Sequence, residues 1–271
     1  MDISVLFSIA PLLIAAGIVA GLLAGLLGVG GGIVLVPVLY FIFQNFGMDA
    51  ESAMKLATGT SLAAIVPTSM SSIRSHYKKG NIHLSLIKSW ALWIVFGVIV
   101  GASILSNYQS DLFIMMFALI AGWVSYRMFF NPKTVSGKLP SNMIQKSTAS
   151  VIGGLSVMVG IGGGTLGVPI LSKFGFKAHH AVGTSAVFGL IIALPGALIM
   201  LFTSNIPAGS PVGSFGSIHL LSLVLIVPLT VFFAPIGVKI GQNLNPNTLK
   251  KVFAVVLFIT SIRMLTESLG V

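Results

Sequence analysis

Two glycine clusters, GVGGG at 28–32 and GIGGG at 160–164, interrupt strongly apolar runs. A glycine in a helix interior costs about 1 kcal/mol relative to alanine, so consecutive glycines must serve the backbone in another way. A helix that starts at such a tip has N–H groups without intrahelical acceptors, which makes it a ready site for an anion. Gly30, Gly31 and Gly32 in the first cluster, and Gly162, Gly163 and Gly164 in the second, are therefore candidate substrate-contacting residues. The alternative is packing alone, because membrane helices also use small residues to approach one another.

Hydroxyls recur beside both clusters. Thr58, Thr60 and Ser61 lie in ATGTS at 57–61, and Thr184 and Ser185 lie in AVGTS at 181–185. In an apolar segment such groups either donate to a substrate oxygen or bond a carbonyl one turn back. Lys55 and His179 stand next to these motifs and could supply a fixed positive charge, although a lysine at a membrane interface also snorkels. His179 and His180 are helix neighbours pointing about 100° apart, with no cysteine in the chain to join them. No metal site and no cofactor are expected.

The five acidic residues are Asp2, Asp49, Glu51, Asp111 and Glu267, and all fall in expected outer loops or at segment ends. Proton and sodium pathways usually place carboxylates inside the membrane. The chain is better suited to holding an anion with N–H, hydroxyl and basic groups. It also offers no HExxH motif, intramembrane carboxylate pair or thiol, so an enzyme is not expected.

The elements that position these residues are membrane segments. Of 271 residues, 55% are hydrophobic and 7% charged, and the mean hydropathy is +1.03. Apolar runs suited to a bilayer core of about 30 Å recur along the chain. They are expected at about 5–27, 33–46, 55–73, 84–106 and 111–130, then at 148–159, 165–176, 182–204, 218–237 and 252–268. The N-terminal stretch lacks a basic start and carries Asp2, so it is expected to remain in the mature protein. The net charge of +10 sits in short connectors rather than on one aromatic-interleaved surface, which excludes a nucleic-acid partner and points to topology.

The halves correspond along their length. GVGGGIVLVPVL at 28–39 matches GIGGGTLGVPIL at 160–171, ATGTS matches AVGTS, and GNIHL at 80–84 matches GSIHL at 216–220. Ordered matches of this kind indicate internal duplication. With the 74–83 connector inside, every Lys and Arg except Lys55 and Arg263 falls on one side. The equivalent connector, 205–217, is uncharged and falls outside, so the repeats are expected to be inverted, a common build of secondary transporters. Arg74, His76, Lys78 and Lys79 read as a topogenic loop, and Trp90 as an interface anchor.

The expected fold is an all-α polytopic membrane protein with two inverted repeats of about five segments each. Some segments are too short to span, so the glycine tips lie deep, in broken spans or re-entrant hairpins. Residues 1–130 form the first repeat, 131–147 a cytoplasmic linker and 148–271 the second repeat.

The ordered double set of GVGGG…VP and GIGGG…VP, each followed by GTS and a glycine-bearing connector, resembles the TauE/SafE sulfite exporter family, also called the TSUP permeases. The resemblance covers nearly the whole chain. It implies a multi-pass carrier in the cell inner membrane whose partners are the lipid bilayer and a small anion such as sulfite, thiosulfate or an organosulfonate. It also implies roles for Gly28, Gly30 to Gly32, Pro37, Gly160, Gly162 to Gly164, Pro169, Thr60, Ser61, Thr184 and Ser185. A passive anion channel with the same architecture is the alternative.

Overall fold

The computed structural model describes residues 3–107, 112–130, 139–243 and 246–269, and these form ten helices and one short hairpin. The first half contains α1 (Ile3–Leu27), α2 (Gly32–Asn45), α3 (Ala50–Tyr77), α4 (Leu84–Asn107) and α5 (Leu112–Phe130). The second contains α6 (Asn142–Met158), α7 (Gly164–Lys173), α8 (Ala178–Phe202), the strands β1 (Ser214–Phe215) and β2 (Ile218–His219), α9 (Leu220–Asn243) and α10 (Pro246–Ser268). Asp2, Asp111, Lys133 and Lys138, and with them much of the 131–147 linker, lie outside the described residues. The last residues of that linker are helical, because α6 begins at Asn142.

Among the described residues, five helices (α1, α4, α5, α8 and α9) carry stretches long and apolar enough to cross a membrane. With 14 and 10 residues, α2 and α7 reach only about 21 and 15 Å at 1.5 Å per residue, as expected from the short segments after the glycine clusters. The 28-residue α3 is long enough to span but carries a row of buried hydroxyls at Thr58, Thr60, Ser61, Thr68, Ser69 and Ser72.

The packing maps onto itself when the halves are exchanged. α1 lies along α9 as α6 lies along α4, α3 crosses α8, and α5 pairs with α10. Small residues permit the closest of these approaches: Gly25 abuts the Ala234 carbonyl, and Gly97 abuts that of Ser150. Across α5 and α10, Ser125 donates to the Ala254 carbonyl at 2.6 Å and Ser261 donates to that of Ala118 at 2.7 Å. Residue 118 lies beside 261 and 125 beside 254, so these two helices run antiparallel.

Two side chains expected at the boundary are core residues. Trp90 is 1% exposed, stacks on Phe188 with centroids 5.5 Å apart, and donates its indole N–H to Gln145. His76 is buried in the last turn of α3, where its Nε2 meets the Gly25 carbonyl at 3.1 Å. Neither matches its sequence expectation: α3 continues past the expected end at 73 and carries His76 into the protein, and α6 and α8 cover Trp90.

Candidate functional site

α1 and α6 both stop at the glycine clusters. Gly28, Gly30, Gly31 and Gly160 all have φ between +66 and +82°, a region that a Cβ disfavours. The two tips meet. A Cβ at Gly32 would lie 2.6 Å from the Gly160 carbonyl oxygen, one at Gly162 would strike that of Val29, and one at Gly164 would strike that of Gly28. Backbone faces backbone at these points, and both clusters are buried throughout. Gly31 immediately precedes α2 with φ 82°, whereas Gly163 precedes α7 with φ −58°, so the two tips differ in conformation.

The hydroxyl motifs close around the tips. Ser61 donates to the Gly160 carbonyl at 2.8 Å. Thr60 accepts the backbone N–H of His219 at 2.9 Å, and Thr184 accepts that of His83 at 3.0 Å. Each GTS helix thus holds the connector of the other half. The glycines of these motifs make the approach possible: Gly59 abuts the Ser217 carbonyl, and a Cβ at Gly183 would lie 2.5 Å from that of Asn81. Neither sequence reading of the hydroxyls foresaw these cross-half bonds. The repeated GN/GS-IHL was the visible signal, but its partner lies far away in sequence.

Other hydroxyls are buried without a partner. They belong to Thr58 and Ser185, from the GTS-region motifs, and to Ser69, Ser156, Thr165 and Ser217, which the motif reading did not single out. An unsatisfied buried polar group costs free energy, so these hydroxyls are buried groups with hydrogen-bonding capacity to spare. Lys55 lies one turn before Gly59 and is half-buried, whereas His179 is exposed at the start of α8 and stands apart from the buried tips.

Charge fits the same chemistry. Asp49 and Glu51 lie at the start of α3 and Glu267 in the last turns of α10, so these described carboxylates stand at helix ends, with Glu51 Oε1 buried. No group of three or more His, Cys, Asp or Glu capable of holding a metal occurs among the described residues. A cavity of about 220 Å³ runs between α2 and α10 from Ile33 to Arg263. The Arg263 guanidinium sits 4.2 Å from the centre of the Phe41 ring, an attractive cation–π arrangement.

The family model for the sulfite exporter TauE/SafE matches residues 13–264. A relative from Haemophilus influenzae, named a probable membrane transporter protein, is 30% identical over 261 residues, covering 96% of this chain and 99% of its own. A relative of the same description from Methanocaldococcus jannaschii is 29% identical, covering 94% of this chain and 95% of its own. YunE of Bacillus subtilis, again named a probable membrane transporter protein, is 24% identical, with coverage of 95% and 98%. No solved structure matches the chain.

Proposed function

Because the chain belongs to the sulfite exporter TauE/SafE family and is a multi-pass membrane transporter of that type, we propose that it exports a small sulfur-containing oxyanion across the cell inner membrane. Sulfite and small organosulfonates are the favoured cargo. The observation that carries this reading is the meeting of two glycine tips in a buried core furnished with unpartnered hydroxyls. N–H and O–H dipoles in a low-dielectric pocket stabilise an anion far more than they do in water and offer a cation little. The candidate contacts are Gly30 to Gly32, Gly162 to Gly164, Thr58 and Ser185, with Thr60, Ser61 and Thr184 supporting them.

The mechanism is alternating access between two inverted repeats. Its support is the exchange symmetry of the packing and the antiparallel run of the equivalent helices α5 and α10. Rocking one half against the other exposes a central site to each side in turn. Purified protein in proteoliposomes should take up labelled sulfite, and a gradient of unlabelled sulfite should drive counterflow. Uptake of sodium or an organic cation without any oxyanion overturns the cargo class. Large single-channel sulfite currents without counterflow overturn the carrier mechanism in favour of a channel.

A further inference from the structure

The two tips correspond in sequence but differ chemically. Around α2 the positions are Ile33, Leu35, Ile65 and Ala193. Their exchange partners around α7 are Thr165, Gly167, Gly189 and Ser69. These four apolar side chains are thus replaced at the second tip by a hydroxyl or by glycine, whereas Val29 and Val34 keep apolar counterparts in Ile161 and Leu166, and Thr58 has Val182 as its counterpart. Ile65 fills the space beside Gly30 and Gly32, with its methyl carbons 3.1 and 2.8 Å from where their Cβ atoms would stand. At the second tip the point where a Gly189 Cβ would stand lies 3.0 Å from Ser69 Oγ and 3.8 Å from the Gly163 backbone nitrogen. A Cβ at Gly167 would lie 2.7 Å from Ser185 Oγ.

Ser69, Thr165 and Ser185 are 1%, 2% and 0% exposed, and none of their hydroxyls has a partner. They gather at the first turn of a ten-residue helix. A helix start carries N–H groups with no intrahelical acceptor and the positive end of the helix dipole. The Thr165 N–H is already taken by the Gly162 carbonyl at 3.2 Å, so the glycine N–H groups ahead of it supply the backbone donors.

We infer that, of the two tips, the anion is held at the start of α7, by its glycine N–H groups together with the hydroxyls of Ser69, Thr165 and Ser185, and that Ile33, Leu35 and Ile65 at the start of α2 form the apolar wall against which that site closes. This rests on the oxyanion-carrier reading and assigns it a one-sided site. Two residues outside the recurring motifs, Ser69 and Thr165, become binding residues. The duplicated GTS hydroxyls divide in role: Thr60 and Thr184 fasten the halves, while Ser185 faces cargo. Gly189 and Gly167 keep the space that Ile65 and Leu35 occupy on the other side.

The test is sulfite binding to the purified full-length chain in detergent, followed by titration and by the sulfite-dependent rise in melting temperature. Replacing an unpartnered buried hydroxyl with an apolar isostere is neutral or stabilising in the empty protein. Ser69→Ala and Thr165→Val should therefore melt at or above the wild-type temperature without sulfite, yet bind sulfite roughly tenfold to a hundredfold more weakly, the usual effect of one lost bond to a charged group. Ile33→Val, which removes one methylene at the position of the first tip that corresponds to Thr165, should leave affinity within about twofold of wild type. Gly189→Ala, which places a methyl group against Ser69, should weaken binding as well. If the wild type binds sulfite and neither Ser69→Ala nor Thr165→Val weakens it, or if Ile33→Val weakens it equally, the one-sided site is wrong and the carrier reading stands. If the wild type binds neither sulfite nor any other small oxyanion, the carrier reading fails and the site with it.

Discussion

Thr60 Oγ1 accepts the backbone N–H of His219 at 2.9 Å, joining residues 159 positions apart where both are fully buried. Thr60→Val removes the acceptor and leaves that N–H without a partner, a loss of about 1–3 kcal/mol. Thermal unfolding in detergent should show a clear drop for Thr60→Val and recovery in Thr60→Ser. The reciprocal Thr184→Val should cost less, because His83 is exposed and water can replace the hydroxyl. Equal stability of the valine and serine variants at position 60 would count against a structural bond.

Gly164→Ala drives a methyl group into the Gly28 carbonyl and forces the tips apart. It should abolish sulfite exchange and lower the melting temperature. Gly241→Ala, whose nearest neighbour would be 3.5 Å away in ordinary contact, should be neutral or stabilise α9 by up to about 1 kcal/mol. Undiminished exchange by Gly164→Ala would show that the tips need not touch during turnover.

The native chain has no cysteine, so single cysteines report sidedness without background. Lys78 and Ala208 are both exposed and lie in the corresponding connectors of the two halves. A membrane-impermeant maleimide should label Lys78→Cys only from the cytoplasmic side and Ala208→Cys only from the opposite side. Labelling of both from one side would rule out the inverted arrangement.

Asp49 caps α3 by accepting the Ser52 N–H at 2.9 Å, and that bond holds its carboxyl below the ordinary value of 3.8. A depressed folded value means the stabilisation is complete above the unfolded value and is lost as pH falls through the folded one. Asp49→Ala should cost about 0.5–2 kcal/mol at neutral pH, toward the lower end because the side chain is exposed. The difference from wild type should shrink on acidification below about pH 4. Asp49→Asn should keep the cap and lose the pH dependence, as followed by thermal unfolding across a pH series.

Much of the fold was legible because hydropathy and glycine act locally. The ends of α1 at the first cluster and of α6 at the second follow from consecutive glycines, and the brevity of α2 and α7 follows from where the apolar runs stop. Polar extensions were harder to see. His76 and Trp90 carry residue types that suit a membrane boundary, yet their partners Gly25, Phe188 and Gln145 come from other helices, and nothing local in sequence announces them. The site was half legible for the same reason. Repetition exposed the glycines and GTS hydroxyls, but Ser69 and Thr165 gain their meaning from not repeating, since their counterparts are Ala193 and Ile33. A search for matched residues passes over positions where the copies diverge.

The reciprocal connectors also bear on how the chain is made. When residues 1–130 have been synthesised, the groove at Gly59 and Thr60 still lacks the strand that fills it, because β2 comes some ninety residues later. The His83 connector likewise waits for Thr184. The first five helices therefore enter the bilayer with polar backbone and hydroxyl groups unpaired in their interior. The translocation machinery must hold them, or the lipid tolerate them, until His219 emerges. The stitch that fills this groove is a two-residue strand, and α9 and α10, the packing partners of α1 and α5, follow it still later.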